Sequence, residues 1–477
     1  MNIETRVKIN NFIMKKVLDF IFTFGKNPLG HTILTPIVES SIRLAVKNVP
    51  GPVGLPGVVS DKYDMLRAMV HSGMRFGSSS KFVNTIVNKA ILSDLRARKE
   101  KEFREKFGFD PPGFMTISPA KRCNLRCQGC YANSASEEDQ LPYDVFSRAI
   151  REMRELWGAR FVVISGGEPM LYRWQGKTIM NIYEENQDSL FLMYTNGSLI
   201  NEKVARKFAE LGNVTPAVSV EGLKEMTERR RGKGFFEQIV KTLSLLKKYR
   251  VTFGISITAT RENVDEIVSD EFIDFYFNKM GSAYAWVFHY MPIGRDISLD
   301  LIPTPEQRIY LWKKSWEVIR KRKIMFADFW NHGPVSDGCI SAGRPGGYFY
   351  LDWQANVYPC VFFPYAAANL KELYEKGGNL NDLINLPLHK KIREWQFKYW
   401  HEGDLLRPCP IRDHYLMAKS FVLETNAKPA DSAAREILFD PDYEKKMAEY
   451  DFRLASVTKN IWERVYKNGA RKAIRVN

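Results

Sequence analysis

Cysteine is scarce in this chain, with six in 477 residues. So few over that length exclude a disulfide framework as the source of stability. Acidic residues are also in deficit, 55 Asp and Glu against 70 Lys and Arg, for a net charge of +15. No recognisable nucleic-acid-binding module accompanies that surplus, so no nucleic-acid partner is expected. No tandem repeat or low-complexity tract appears. What remains is an ordinary globular composition, 45% hydrophobic and 26% charged, too long for one core, so two or three substructures are expected.

Long apolar runs are missing from the amino terminus. Residues 1–110 hold 18 Lys and Arg against 10 Asp and Glu, and within them Ile9, Phe12, Ile13, Val17, Phe20, Ile21 and Phe24 recur at helical spacing. Lys8, Lys15, Lys16 and Asp19 occupy the other faces. The apolar runs of this amphipathic helix reach only three residues, far short of the ~20 that cross a bilayer. Asp19 and the lack of a small-residue cleavage site argue against a signal peptide. The helix is expected either to pack on the protein or to make peripheral contact with an anionic membrane.

A helical basic region is expected over 1–110, with a Pro/Gly hinge from Val49 to Gly57. From Phe114 short apolar runs alternate with amphipathic segments, the pattern of β-α units. Strands are expected at Phe114–Ser118, Phe161–Ser165, Leu190–Thr195, Val214–Val220, Thr252–Thr260 and Ala285–Tyr290. Residues 111–330 therefore read as an α/β fold, a partial (β/α)6 barrel. Gly, Pro and aromatics rise in 331–430, a smaller domain, and 431–477 returns to charged helix.

Three of the six cysteines crowd into eight residues, Cys123, Cys127 and Cys130, as C-x3-C-x2-C after the first expected strand. That is the end of a β/α barrel where active sites assemble. Three thiolates can hold three irons of a [4Fe-4S] cluster and leave the fourth open. Structural zinc normally wants four protein ligands, and no fourth Cys or His lies nearby. Crowded free thiols also suit a reducing compartment, so a cytoplasmic protein is expected.

With Tyr131 beside the last cysteine, this loop resembles the signature of the radical S-adenosylmethionine (radical SAM) superfamily. The second strand runs into Gly166, Gly167, Glu168 and Pro169, similar to the family's GGE motif, whose carboxylate receives the SAM ammonium. The resemblance implies that Thr195 and Asn196 line the SAM site, that Ser219 and Glu221 reach the ribose hydroxyls, and that Arg231, within the run Arg229–Arg231, faces the methionine carboxylate. The family more often has Asp where Glu221 stands. Ser256 and Thr258 share a strand face, and Tyr290, Met291 and Pro292, beside His289, would lie near adenine.

Cys339, Cys360 and Cys409 complete the set. The stretch from Cys339 to Cys360 resembles the start of a SPASM or twitch extension, which carries auxiliary [4Fe-4S] clusters. Ala355 replaces the usual glycine and the later cysteine block is absent, so one auxiliary cluster is implied, its fourth iron either open or capped by a ligand other than a thiolate, with Asp413 and His414 as candidates. The family's activity would be one-electron cleavage of SAM, driven by a reductant such as flavodoxin or ferredoxin, to a 5'-deoxyadenosyl radical that takes hydrogen from the substrate. A peptide or protein substrate is expected, with a lipid or isoprenoid at a membrane as the alternative and a non-catalytic iron-sulfur carrier as a further one. No cobalamin-binding domain or winged-helix peptide-recognition domain is visible.

Overall fold

The computed structural model describes residues 35–36, 39–43, 54–76 and 94–469. The amphipathic helix expected over residues 9–24 and most of the Pro/Gly hinge lie outside the described residues. Helix α1 (Pro56–Arg75) precedes strand β1 (Phe114–Ile117), helix α2 (Tyr143–Trp157), β2 (Phe161–Ile164), β3 (Leu190–Thr195), β4 (Val214–Val220), helix α3 (Phe235–Lys248), β5 (Gly254–Ala259) and β6 (Tyr284–His289). These six strands are the six read from the sequence, to within two residues at either end. Two further strands extend the sheet in parallel. Met325–Asp328 (β7) pairs with β6, and Tyr348–Leu351 (β8) pairs with β1 in the register Phe114 to Tyr348. Asn356–Tyr358 (β9) and Ala368–Asn369 (β10) then add antiparallel. The order is β10-β9-β8-β1-β2-β3-β4-β5-β6-β7, and the sheet stays open.

Parallel strands covered on both faces must be apolar throughout. Strand β2 is Phe-Val-Val-Ile and β3 is Leu-Phe-Leu-Met-Tyr-Thr for that reason. Helix α2 presents Val145, Phe146, Ala149, Ile150, Met153 and Trp157 as one buried stripe, worth roughly 1.5–3 kcal/mol for each large side chain. Gly158 ends it in a left-handed cap at φ 67°. Helix α3 buries Ile239, Leu243 and Leu246 and turns its lysines outward.

Strand β8 belongs by sequence to the smaller carboxy-terminal region, yet it is hydrogen-bonded edge to edge with β1, so a boundary at residue 330 does not interrupt the sheet. The helix Pro441–Ile461 also packs on the barrel side: Tyr443 and Tyr450 donate to the carbonyls of Pro292 and Pro303. Arg308, on the helix Pro305–Glu317, makes a buried bidentate pair with Asp413 at 2.6 and 3.1 Å. No helix among the described residues is long and apolar enough to cross a membrane.

Three imidazoles are sealed in this structure. Burial lowers His289 and His332 to about 4 and His389 to about 3, with Asp328 opposing the shift at the first two. His332 accepts the Asp328 N–H at Nδ1, which fixes a neutral ring. The unfolded chain therefore binds more protons than the folded one between about 4 and 6.5, so stability rises with pH across that window and is lost as pH falls through it. Urea titrations of the metal-free protein at pH 7, 6, 5 and 4.5 should show a falling midpoint, and His389→Phe should flatten the dependence.

Candidate active site

The segment between β1 and α2 has no helix and no strand beyond one bridge, Ala120 to Gln140. Its shape is imposed by neighbouring strand ends. Gly167 and Glu168, after β2, donate backbone N–H bonds to the carbonyls of Ala120 and Arg122, each at 2.9 Å. A Cβ on Gly167 would lie 2.2 Å from the Arg122 carbonyl oxygen, so only glycine permits this contact. After β6, Arg295 donates its N–H to the Cys130 carbonyl at 3.0 Å. Its guanidinium reaches the carbonyls of Cys127, at 3.3 Å, and Ser134, at 2.5 Å. Gly294 beside it has φ 76°, and a Cβ there would sit 2.4 Å from the Cys130 oxygen. Arg230 adds bonds to the carbonyls of Gln128 and Gly129.

Held this way, Cys123, Cys127 and Cys130 line one cavity of about 220 Å³ over the carboxyl ends of the strands. Tyr131, Gly166, Gly167, Thr195, Asn196, Ser219 and Arg231 line the same cavity, as do Ser256, Thr258, Tyr290 and Met291. Tyr131 shares a 2.5 Å hydrogen bond with Ser165. Asn196 places its amide nitrogen 3.9 Å from Cys123 Sγ. Pro169 is buried at the start of a short turn and does not line the cavity; neither does Pro292, whose carbonyl serves Tyr443.

Glu168 is fully buried and also outside the cavity lining. Its carboxylate accepts from Thr195 Oγ1 at 2.8 Å, the Asn196 N–H at 2.8 Å and the Met170 N–H at 3.2 Å. Burial raises its pKa, opposed by these bonds. Glu221 behaves differently: its Oε1 is shared by Arg230, at 2.7 Å, and Arg231, at 2.5 and 2.9 Å. Its Oε2 is buried without a partner among the described residues. An acceptor in that condition is costly unless a ligand supplies a donor.

A second cavity of about 190 Å³ is lined by Cys339, Cys360 and Cys409, which three separate loops bring together. Cys339 donates to Ser341 Oγ at 3.1 Å, and Tyr348 Oη lies 2.9 Å from Cys360 Sγ. Cys409 caps the turn Pro410–Asp413, and its N–H is held by Asp413 Oδ2. Asp413, proposed from sequence as a fourth ligand, is committed to Arg308, Arg412 and that N–H. His414 bonds the Arg407 carbonyl at 3.0 Å. Ala355 holds φ 64°, the left-handed backbone that favours glycine, so the chain keeps a glycine-like turn at an alanine.

All six cysteines are free. Among the described residues no three His, Cys, Asp or Glu side chains converge tightly enough for a single metal ion. A four-iron cube binds its thiolates at separate corners and leaves one iron for a ligand outside the protein. Burial pushes Cys123 up to about 12, so a metal entering here displaces a proton. The residues fit a cluster, whereas Glu221, like Glu168, does not line the cavity and meets it only through Arg230 and Arg231.

Sequence reasoning did not single out Arg230, Arg295 or Tyr348. Arg230 was one of an undifferentiated arginine run, Arg295 followed an expected strand end, and Tyr348 opens a strand that was not anticipated.

A parallel α/β sheet that gathers three free thiols at the end of its first strand defines an iron-sulfur enzyme. Residues 117–271, about a third of the chain, match the radical SAM superfamily, so this stretch is a radical SAM domain, with a [4Fe-4S] cluster and S-adenosylmethionine as the cofactors of its class. It is 28% identical over 307 residues to the mycofactocin maturase of Mycolicibacterium smegmatis, covering 61% of this chain and 74% of the relative. Over 318 residues it is 26% identical to the cysteine-type anaerobic sulfatase-maturating enzyme of Clostridium novyi, covering 58% and 80%. The fold is similar to that of Streptococcus suis SuiB bound to S-adenosylmethionine, at TM-score 0.52 and 17% identity, over 73% of this chain and 87% of the other.

Two outcomes follow from this geometry. Gly294→Ala should displace the Cys130 carbonyl and lower the iron content of anaerobically reconstituted protein by up to about four atoms per chain, while the far-ultraviolet circular dichroism stays unchanged. Tyr348→Phe removes a hydrogen bond to a thiolate sulfur, which stabilises the reduced state of a bound cluster. A redox titration followed by electron paramagnetic resonance (EPR) should show one of two centres moving to a lower potential and the other staying in place.

Proposed function

We propose that this enzyme takes a hydrogen atom from a peptide or protein substrate, with a SAM-binding cluster on Cys123, Cys127 and Cys130 and an auxiliary cluster on Cys339, Cys360 and Cys409. The observation that carries this reading is the pair of three-cysteine cavities, which share Trp286, Phe329, Tyr348 and Phe362 as a common wall. The bound cofactors supply one-electron cleavage of SAM and the hydrogen-abstracting 5'-deoxyadenosyl radical. Everything else falls to the chain.

Arg230 and Arg295 keep the cysteine loop rigid by binding its carbonyls. Asn196 orients its amide toward Cys123. Ser219 lines the cavity and is read as a contact of the ribose hydroxyls, whereas Glu221 lies outside the cavity lining and acts through Arg230 and Arg231; Arg231 keeps Nη1 unbonded among the described residues for a carboxylate. Three of the lone-pair positions of Glu168 are filled by protein donors, so an ammonium contact would use the one that remains. Aromatic side chains close the cavity below, which keeps water and stray donors from a reactive radical.

The maturases among its relatives support a peptide or protein substrate. Asp413 and His414 are engaged elsewhere, so the auxiliary centre would keep an iron without a protein ligand, for substrate or for passing an electron. Six free cysteines suit a reducing compartment, where flavodoxin or ferredoxin can serve as reductant. We assign residues 331–430 to this auxiliary region and residues 111–330 to the radical SAM domain.

Anaerobic protein mixed with dithionite and SAM should form 5'-deoxyadenosine, as a non-catalytic carrier would not. Cys127→Ala should abolish it. Joint replacement of Cys339, Cys360 and Cys409 by alanine should lower the iron content by about four and leave SAM cleavage in place. Full iron content in that triple variant would remove the auxiliary cluster.

A further inference from the structure

The cavity that holds Cys123, Cys127 and Cys130 has two chemically distinct ends. Near the carboxyl ends of the strands it is lined by Ser165, Thr195, Asn196, Ser219, Thr258 and the two arginines. Toward the strand starts the lining turns to Phe114, Phe161, Val163, Leu192, Trp286 and Tyr348. The rings of the cavity wall pack in two groups. Phe114 stacks on Tyr348 at 4.8 Å and meets Phe161 edge-on at 5.6 Å. Tyr194 meets Phe288 edge-on at 5.4 Å, and Phe288 continues to Phe329 and Phe362.

Charge is what this end lacks. Among the described residues no Asp, Glu or Lys lines the cavity. Arg230 and Arg231, at the opposite end, already share Glu221. His289, which also lines the cavity, is a buried, neutral imidazole bonded to Asp328. A charged group placed among the rings would be desolvated with no counter-ion, a cost that proteins avoid by pairing or neutralising the charge. Two hydroxyls stand out in the cavity lining, Tyr194 on β3 and Thr116 on β1. Neither has a hydrogen-bond partner among the described residues.

We propose that the part of the substrate that enters this cavity is an uncharged side chain, aromatic or aliphatic, and that the Tyr194 hydroxyl meets the polar atom of a side chain that carries one, such as a phenol. The inference rests on the radical SAM reading and the peptide class given above and makes them more specific. It assigns Tyr194 as a specificity-determining residue and excludes lysine, arginine, aspartate and glutamate as the residue that is modified. Rings at 4.8–5.6 Å centroid spacing present both faces and edges to a guest, and a phenol supplies one directional contact within an otherwise non-directional site.

The test uses the full chain, anaerobically reconstituted and supplied with SAM, with N-acetyl amides of tyrosine, leucine, lysine and glutamate as probes and 1-decanol as a non-peptide control. Binding is read by saturation-transfer NMR, independently of turnover. The tyrosine and leucine probes should bind, with the lysine and glutamate probes at least about tenfold weaker. Tyr194→Phe should weaken the tyrosine probe by about three- to tenfold and leave the leucine probe unchanged. Equal or tighter binding of a charged probe, binding of no probe, or a Tyr194→Phe variant that treats both apolar probes alike would overturn the proposal. Decanol binding in preference to every amide would reassign the cavity to a hydrocarbon chain and overturn it too. Reductive cleavage of SAM, measured on the same samples, separates the failures: if it is absent the radical SAM reading falls, and if it is present while the probes do not discriminate, this inference falls alone.

Discussion

The structure depends on backbone hydrogen bonds that hold a loop with no regular structure of its own. Between β1 and α2 the chain must present three thiols at fixed separations, and nothing within the loop can do so. Its carbonyls are claimed one after another by elements that follow other strands: Ala120 and Arg122 by the turn after β2, Gln128 and Gly129 by Arg230 on the helix Lys224–Arg231, Cys127 and Cys130 by Arg295. A carbonyl held by a donor on a packed strand moves only if the strand moves. The sheet thus transfers its rigidity to the thiols, which is the kind of pre-organisation a metal site needs.

A second consequence concerns how the two cysteine groups face one another. Strand β8 pairs directly with β1, so the loop bearing Cys339 and the strand end bearing Cys360 are attached to the same sheet as the first cysteine loop. Four aromatic side chains form the wall between the two cavities. Tyr348 takes part in both, with its ring on the substrate side against Phe114 and its hydroxyl on Cys360. Buried charge fixes the third loop. Arg308 on a barrel helix grips Asp413, and Asp413 grips the Cys409 N–H. Breaking such a buried pair by removing one partner costs about 3–5 kcal/mol, so Cys409 is held in place by the barrel as much as by its own region.

Much of this was legible in the sequence because it is local. The six parallel strands announce themselves as short apolar runs, and the cysteine spacing fixes both the chemistry and its position after β1. The glycine pair 166–167 was visible too, although its physical reason is contact with the cysteine loop as much as access to a ligand. Other features were hidden because they are non-local. Strand β8 is four residues, Tyr-Phe-Tyr-Leu, and only its pairing with a strand more than 200 residues earlier makes it part of the sheet. Nothing near Asp413 in the sequence reveals that Arg308 occupies its oxygens. The division of labour within Arg229, Arg230 and Arg231 depends on which face of a short helix meets the loop; Arg229 points away to Glu262.

The central claim is that Cys123, Cys127 and Cys130 leave one iron open to SAM. The most direct measurement is EPR of the dithionite-reduced variant lacking Cys339, Cys360 and Cys409, recorded with and without SAM, so that only this centre contributes. The account predicts a reduced [4Fe-4S] signal whose g values shift when SAM is added. A silent spectrum, or a cluster signal that SAM leaves unchanged, would contradict it.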